Sequence, residues 1–300
     1  MPLIDRRNTL SHIKVTDAMR RLVIALPKSA SIEQAVRYTI KFKVNAILIT
    51  GESQEGVGVV SKTDLMGAYY AGMPVETGVD AIMVGPPLFC HAEDSLESAL
   101  DAMRTNRVHR LYVRGEKPGR AIGVLAYPDV VGMLYRFCSK CDRNIARLGK
   151  RKDTEISFDR YSVAEVMTPS ARAHQEDETI LQVMEGLSAH QLGAVLIRSR
   201  NGLPVGVLSK TDLMIAYRHG VSPEAEAKTI MNSPIRACDQ NEHLVKAIRQ
   251  MIFSDVHRVF VYKENTVNIV GVLSLSDAAR VRSGSCRACI TSRIKVESAM

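Results

Sequence analysis

The stretch that decides the fold reads GVVSKTDLM at residues 58–66 and returns as GVLSKTDLM at residues 206–214. The two copies lie 148 positions apart, and the same spacing relates Met19 to Met167 and Met83 to Met231. The match needs no insertion or deletion between about residues 12 and 142. A spacing kept over so long a range indicates that the chain is a duplicated unit of about 130 residues.

Each unit is itself double. Met83 follows Met19 by 64 positions and Asp129 follows Asp64 by 65, and the second unit repeats both distances. The sequence therefore predicts four repeats of about 60 residues. We place repeats 1 and 2 in a first module, a basic linker after it, and repeats 3 and 4 in a second module. The predicted ranges are about 12–75, 76–142, 160–223 and 224–290 for the repeats, 1–142 and 160–300 for the modules, and 143–159 for the linker.

Hydrophobic periodicity predicts the same element order in every repeat: strand, helix, strand, strand, helix. Leu96, Ala99, Leu100 and Met103 stand at i, i+3, i+4 and i+7, the spacing of one face of a helix. Short β-type runs joined by a glycine-containing turn follow such a helix. A unit this small buries little apolar surface alone, so we expect an α/β fold in which the repeats pair.

Composition excludes several classes of protein. Hydrophobic residues make up 46% of the 300 and charged residues 24%, which is typical of a soluble globular protein. No apolar stretch approaches the ~18 residues of a membrane span, and the first residues contain no apolar core of a secretory signal. We expect a cytoplasmic protein with no membrane partner. The formal charge of +8 invites anionic ligands without naming one.

The motifs that open and close each repeat resemble those of the CBS domain. A methionine motif opens the repeat, as in MTP at residues 167–169, and a Gly-h-h-Ser-x-x-Asp pattern (h, hydrophobic) closes it. The resemblance implies four βαββα CBS repeats paired into two Bateman modules with pseudo-twofold symmetry. It also implies a regulatory sensor of AMP, ADP, ATP or S-adenosylmethionine that signals to a separate, unidentified protein. Such proteins usually lack catalytic activity, and one chain with both modules is compatible with a monomer or a homodimer.

A nucleotide needs an apolar slot for its base, a carboxylate for the ribose hydroxyls and donors for its phosphates. Asp accepts hydrogen bonds from ribose, Ser and Thr donate to phosphate, and a helix N-terminus favours an anion. The SLSD run at residues 274–277 and the pair His257-Arg258 are similar to those of the gamma subunits of AMP-activated protein kinase. An Arg grips phosphate through two N–H groups.

The predicted nucleotide-binding residues are those at the equivalent positions of all four repeats: Ser61, Thr63 and Asp64; His109, Arg110 and Asp129; Ser209, Thr211 and Asp212; His257, Arg258, Ser274, Ser276 and Asp277. Repeats 1 and 3 lack the His-Arg pair, so a neighbouring repeat must supply their phosphate grip. Repeat 2 reads Ala-Tyr-Pro at 126–128 where the hydroxyls should be, so we expect its site to be empty. In the alternative interpretation, each carboxylate only caps a helix.

The cysteines have no counterpart in an ordinary Bateman module. Two Cys-x-x-Cys pairs obey the same 148-residue spacing: Cys138 with Cys141, and Cys286 with Cys289. Four thiolates can hold zinc or an iron–sulfur cluster, or each pair can form a reversible disulfide. Passive duplication of unneeded cysteines is the remaining alternative. We interpret Cys90 and Cys238 as small buried residues.

A second class of function stays open. The chain could be a metal- or redox-centred regulator whose repeats serve mainly as scaffold, with nucleic acid bound by the basic run at residues 143–152. Aromatic residues make up only 5% of the chain and Trp is absent, so stacking platforms for bases are scarce. A solvated basic linker is the simpler interpretation of that run. The sequence contains no motif of a nucleophile with its base, no paired catalytic carboxylates and no phosphate-binding Walker loop.

Overall fold

The computed structural model describes residues 13–116, 119–130 and 161–278. The predicted element order is confirmed in all four repeats as far as they are described, and a short helix, α1 (Val15–Ala18), precedes the first. Repeat 1 contains β1 (Ala25–Pro27), α2 (Ile32–Lys41), β2 (Ala46–Thr50), β3 (Gly56–Ser61) and α3 (Lys62–Tyr70). Repeat 2 contains β4 (Phe89–Cys90), α4 (Leu96–Thr105), β5 (Arg110–Arg114) and β6 (Ala121–Ala126).

The second module repeats these elements. A short strand β7 (Thr168–Pro169) opens it, and repeat 3 continues with β8 (Ala173–Gln175), α5 (Ile180–Ala189), β9 (Ala194–Arg198), β10 (Pro204–Ser209) and α6 (Lys210–Arg218). Repeat 4 contains β11 (Ala237–Asp239), α7 (Leu244–Phe253), β12 (Arg258–Tyr262) and β13 (Ile269–Ser274). Further helical turns begin at Tyr127 and Leu275.

Local sequence explains where these helices begin and which face they bury. In α2, the Ser31 hydroxyl accepts a hydrogen bond from the Gln34 amide at 3.2 Å, and the Gln34 side chain accepts from the Ser31 amide at 3.3 Å. This reciprocal capping satisfies two N–H groups that a helix start leaves unpaired. Ile32, Ala35 and Val36 are fully buried on the inward face. An amphipathic helix of this kind is stabilised mainly by that burial.

Each repeat's sheet is completed by its partner repeat. The first strand runs parallel to the second, and the third runs antiparallel to it. The chain after each repeat's opening methionine then pairs with the third strand of the other repeat in its module. These backbone pairs are Arg20 with Val124, Val84 with Val59, Thr168 with Val272 and Asn232 with Val207. Repeats 1 and 2 are therefore joined by backbone hydrogen bonds, and so are repeats 3 and 4.

The same exchange explains two residues of the repeat signature. A Cβ added to Gly271 would lie 2.6 Å from Met167 Sδ, and one added to Gly123 would lie 2.7 Å from Met19 Sδ. Gly58 and Gly206 stand in the same relation to Met83 and Met231. The opening methionine thus packs against the face of the third strand that its glycine leaves without a side chain. Apolar side chains of the two sheets in each module also pack against each other. They include Leu48, Tyr112 and Val124 in the first module and Leu196, Phe260 and Ile269 in the second.

The two modules pack through equivalent helices of repeats 1 and 3. Tyr69 of α3 and Tyr217 of α6 stack with ring centroids 4.8 Å apart. The Tyr69 hydroxyl donates to the Val221 carbonyl at 2.7 Å, and the Tyr217 hydroxyl donates to the Met73 carbonyl at 2.6 Å. The two hydrogen bonds are equivalent, because the 148-residue spacing relates Tyr69 to Tyr217 and Met73 to Val221, as a pseudo-twofold axis between modules requires. Helices of both repeats share one hydrophobic core.

Two of the six cysteines lie in the part of the chain that the structure describes. Cys90 and Cys238 are buried with free thiols, which confirms the interpretation from sequence. Burial raises the pKa of Cys90 to about 11 and that of Cys238 to about 12, so both stay protonated. The predicted ligands Cys138, Cys141, Cys286 and Cys289 and the basic linker lie outside the described residues. In the described ranges, no helix is both long and apolar enough to cross a membrane.

Candidate functional site

The carboxylate of every Ser-x-x-Asp motif caps a helix through its Oδ2 atom. Asp64 Oδ2 accepts from the Ser61 amide and hydroxyl, both at 2.7 Å. Asp277 Oδ2 accepts from the Ser274 amide at 2.9 Å and from its hydroxyl at 2.6 Å. Asp212 is held by Ser209 in the same way, and Asp129 accepts from the Ala126 amide at 2.9 Å. The capping interpretation therefore accounts for one oxygen of each carboxylate, and the other oxygen distinguishes the repeats.

The Oδ1 atoms of the four carboxylates have different surroundings. Arg20 Nε lies 2.7 Å from Asp129 Oδ1, and Asn232 Nδ2 donates to Asp212 Oδ1 at 2.5 Å. Within the described ranges, Asp64 Oδ1 accepts no hydrogen bond. Asp277 lies in the electrostatic field of Arg258. Asp129 and Asp212 each bind a residue from the other repeat of the same module. These two carboxylates therefore find all their partners only when the repeats pair.

The site of repeat 2 is closed by its own side chains. Arg110 Nη1 donates to the Ala46 carbonyl at 3.0 Å, and its guanidinium lies near Arg20 and Asp129. Arg110, Arg20 and Tyr112 line a cavity of about 10 Å³, which holds roughly one water molecule. Burial lowers the pKa of Arg110. Burial also raises the pKa of Asp129, and Arg20 opposes that rise. The prediction that this site binds nothing agrees with this geometry but is not tested by it.

The equivalent arginine of repeat 4 is less constrained. Arg258 makes no side-chain hydrogen bond to any other described residue, and Thr168 stands where the first module has Arg20. A Cβ added to Gly193 would lie 2.2 Å from Arg258 Nη2, so a larger residue there would displace the guanidinium. Burial lowers the pKa of Arg258 and Asp277 opposes that shift. In repeat 4, Ser274 is hydrogen-bonded to Asp277 and Asp277 lies in the field of Arg258, with Phe260 in place of the polar Tyr112. That these residues and Ser276 bind a nucleotide stays a prediction.

Two lysines that sequence reasoning did not single out lie between the modules. Lys62 Nζ donates to Thr211 Oγ1 at 2.8 Å, and Lys210 Nζ donates to Thr63 Oγ1 at 2.8 Å. Each lysine is the first residue of its helix, where the helix dipole disfavours a cation. A lysine at that position in both copies was the signal that could have found them. The predicted residues Thr63 and Thr211 are acceptors in this reciprocal contact.

These lysines belong to a concentration of positive charge at the centre of the molecule. Burial lowers the pKa of Lys62 to about 8, Asp212 opposes the shift, and Arg110 and Arg258 add to it. Burial and Arg258 lower the pKa of Lys210. Burial, Lys62 and Arg258 lower the pKa of His257. We call these five residues the central cation cluster: Lys62, Arg110, Lys210, His257 and Arg258. These cations repel one another, so a bound anion would offset their mutual repulsion.

Comparison with known proteins identifies the fold. Residues 15–71, 79–136 and 227–284 match the model of the CBS domain, more than half of the chain. The chain belongs to the CBS domain family. Repeat 3, which that model does not match, has the same strands and helices and so completes four CBS repeats in two Bateman modules.

Similar proteins include the gamma-3 subunit of 5'-AMP-activated protein kinase from Sus scrofa, 26% identical over 192 residues. That match covers 61% of this chain and 35% of the subunit. Protein MK0525 from Methanopyrus kandleri is 24% identical over 122 residues, 40% of this chain and 62% of that protein. The chain therefore spans between about a third and two thirds of these curated relatives. The crystal structure of protein MJ1225 from Methanocaldococcus jannaschii superimposes with a TM-score of 0.69 at 14% identity, covering 89% of this chain and 99% of that one.

Among the described residues, no three His, Cys, Asp or Glu side chains are grouped to hold a metal ion. The predicted cysteine ligands lie outside those residues, so the metal centre stays a prediction. His109, the remaining predicted site residue, is exposed beside Tyr127, with ring centroids 5.9 Å apart.

Proposed function

We propose that this chain is a non-catalytic regulatory sensor that binds adenine nucleotides between paired CBS repeats, with their phosphates in the central cation cluster. The cluster carries the proposal. Lys62 is only 9% exposed, and its pKa is lowered to about 8 because burial and two arginines outweigh one carboxylate. Such a site is costly when empty of anions, and a phosphate provides the missing charge.

The repeat 4 site is the best candidate for the whole nucleotide. Asp277 Oδ2 is held by Ser274, which orients the carboxylate for hydroxyl donors. Arg258 presents its guanidinium next to Gly193, and in the sheet it pairs with Ser274, the residue at which the Ser-x-x-Asp motif begins. Ribose on Asp277 and phosphate on Arg258 are the two polar contacts that a nucleotide requires, and the base would pack against apolar residues between the two sheets.

The choice of adenine nucleotides as probes for binding follows from the relatives of this chain. The gamma-3 subunits of pig and human belong to a kinase that is activated by 5'-AMP. The probes for this chain are accordingly AMP, ADP and ATP, with S-adenosylmethionine as a probe that lacks phosphate. A preference for the phosphorylated probes is expected, since the central cation cluster has no role toward S-adenosylmethionine, which itself carries a positive charge.

Signalling follows from the position of the cluster between modules. Lys62 of the first module contacts Thr211 of the second, and Lys210 contacts Thr63 in return. A phosphate that recruits these lysines competes with those contacts, so occupancy is linked to how the modules pack. By linkage, the shift equals the difference in ligand affinity between the two arrangements. A separate protein that binds one arrangement better would then respond to nucleotide.

The first test is native mass spectrometry with each probe, on the wild type and on Asp277→Ala. We expect the wild type to retain nucleotide and Asp277→Ala to lose the repeat 4 site, with affinity there at least about tenfold lower, the effect of one charge-assisted hydrogen bond. Glu165→Ala is the matched control, because Glu165 Oε2 accepts from the Ser162 amide at 2.7 Å and hydroxyl at 3.0 Å in the same capping arrangement away from the site.

Equal affinity in Asp277→Ala and Glu165→Ala would assign the carboxylate to helix capping alone and overturn the repeat 4 site. No binding of any adenine probe to the wild type would overturn the proposed function as a whole.

We also propose that Cys138, Cys141, Cys286 and Cys289 bind one zinc ion or iron–sulfur cluster per chain or shared between chains. The proposal rests on the sequence: both Cys-x-x-Cys pairs survive in copies whose neighbouring residues differ. Anaerobic purification should yield stoichiometric metal, with visible absorption only for a cluster. Replacing the four cysteines with serine should remove it. Free thiols without metal in the wild type would instead favour redox chemistry. Nucleotide binding that persists in the serine variant would support the sensor over the metal-centred alternative.

A further inference from the structure

A small cavity of the first module lies between repeats 1 and 2. Its volume is about 10 Å³, so it admits an occupant of roughly the size of one water molecule. Most of its wall is apolar and is formed by Leu22, Ile24, Val44, Ala46 and Val124. Three polar side chains complete the wall: Arg20 of repeat 1 and Arg110 and Tyr112 of repeat 2. A nucleotide is far too large for this space, and the polar side chains decide what fits it.

The Tyr112 hydroxyl in this wall is a buried donor. Tyr112 is only 3% exposed, and among the described residues its hydroxyl has no hydrogen-bond partner. The neighbouring Arg110 can only donate hydrogen bonds, so it cannot accept the hydroxyl hydrogen. Burial raises the pKa of Tyr112, which keeps that hydrogen on the oxygen. A buried donor without an acceptor is destabilising, so an acceptor bound in the cavity would stabilise the fold.

The two guanidinium groups add further donors and an excess of positive charge. Arg110 Nη1 donates to the Ala46 carbonyl at 3.0 Å, which uses one of the five N–H groups of that guanidinium. Arg20 Nε lies 2.7 Å from Asp129 Oδ1, and Arg20 lowers the pKa of Arg110 in addition to the effect of burial. One carboxylate therefore faces two cations, which leaves one positive charge uncompensated in this group of three.

An anion satisfies this wall better than a water molecule does. A water molecule needs acceptors for its own two hydrogens, and the two guanidinium groups can provide none. A monoatomic anion accepts hydrogen bonds from both arginines and from the tyrosine, and it balances the remaining charge. Phosphate and other polyatomic anions exceed the volume of the cavity.

We infer that this cavity is a binding site for a monoatomic anion, namely chloride, which joins Arg20 of repeat 1 to Arg110 and Tyr112 of repeat 2. The Arg20 side chain is 46% exposed and Leu22 is 68% exposed, so these two residues form the rim through which the ion enters. The ion stabilises the pairing of the two repeats at the place where we expect no nucleotide. The inference does not depend on nucleotide binding elsewhere in the chain.

The test compares sodium chloride with sodium gluconate at constant ionic strength, without nucleotide, on the wild type and on Tyr112→Phe. Phenylalanine is compatible with this place, because Phe260 occupies it in the second module and pairs with the third strand in the same register. The matched control is Tyr38→Phe, which removes the hydroxyl of a tyrosine that packs against Phe42 and does not line the cavity. The melting temperature is measured against chloride concentration, and anomalous diffraction from crystals soaked in bromide locates the ion.

We expect chloride to raise the melting temperature of the wild type and of Tyr38→Phe, and bromide to lie between the Tyr112 hydroxyl and the two guanidinium groups. Tyr112→Phe should need at least about tenfold more chloride for the same rise, the effect of losing one hydrogen bond to a charged group. An unchanged chloride dependence in Tyr112→Phe would overturn the inference, and so would a water molecule in place of bromide in wild-type crystals. No nucleotide is present in either experiment, so these outcomes leave the proposed function standing.

Discussion

Replacing Lys62 with methionine is expected to weaken ATP and AMP binding by about tenfold to a hundredfold, the effect of losing a charged hydrogen bond worth ~1.5–3 kcal/mol. The same change should leave the ligand-free protein at least as stable as the wild type. Lys62 is buried, and its pKa is lowered to about 8 because burial and the neighbouring arginines disfavour its charge. Methionine keeps the apolar stem and removes that charge. Loss of affinity without loss of stability separates a ligand contact from a structural one.

The pH dependence of binding checks the same lysine. In the ligand-free protein Lys62 releases its proton near pH 8, whereas a bound phosphate favours the charged form and raises the pKa. Lys62 should therefore make the affinity fall as the pH rises above 8. The unfolded chain keeps this proton up to about pH 10.5, so between pH 8 and 10.5 the unfolded state binds more protons and ligand-free stability gains with rising pH. Both effects should be absent in Lys62→Met.

The control for this variant is Lys43→Met. Lys43 pairs with Asp255 at the edge between repeats 1 and 4, and its side chain is 71% exposed. Exposed ion pairs contribute little, so nucleotide affinity should stay within about twofold of the wild type. Calorimetric titration at several pH values measures both variants. Equal losses of nucleotide affinity in Lys62→Met and Lys43→Met would assign the effect to the net charge of the protein. Unchanged affinity in both variants would show that Lys62 does not belong to the site.

Gly271→Ala is expected to lower the free energy of unfolding by about 1–3 kcal/mol, the usual cost of overpacking a well-packed region. The added Cβ would lie 2.8 Å from the Thr168 carbonyl oxygen as well as 2.6 Å from Met167 Sδ. The carbonyl belongs to β7, which is hydrogen-bonded to β13, so it cannot move without breaking the pairing between repeats 3 and 4. Denaturant unfolding of the variant and the wild type measures the difference.

Gly58→Ala is the matched comparison in the first module. The three atoms nearest to its added Cβ all belong to the side chain of Met83, between 2.8 and 3.2 Å away, and methionine can change rotamer. Alanine also restricts the unfolded chain, which favours folding by about 0.4–1 kcal/mol. Gly58→Ala should consequently be close to neutral. We expect the backbone carbonyl near Gly271 to be fixed and the methionine side chain near Gly58 to move. Equal destabilisation by both substitutions would contradict this expectation.

Much of the fold was predictable because the deciding contacts are local. The helix over residues 96–105 follows from Leu96, Ala99 and Met103 at helical spacing, and all three are buried in it. The capping of the helices that begin after Ser61, Ser209 and Ser274 is likewise local, because Ser and Asp stand three positions apart. A contact between i and i+3 needs no information from elsewhere in the chain. The resemblance to CBS domains added the pairing of repeats, which the backbone exchange confirms.

The amino-acid sequence by itself determined the four repeats, the element order and the spacing of the residues that cap the helices. Tertiary structure alone decided what each carboxylate's second oxygen contacts, since Arg20 reaches Asp129 across more than a hundred positions. It also decided that Lys62 and Lys210 meet the arginines of other repeats at the centre. The reason is physical: local spacing specifies a helix and its cap, whereas the charge around a buried group depends on every element packed against it.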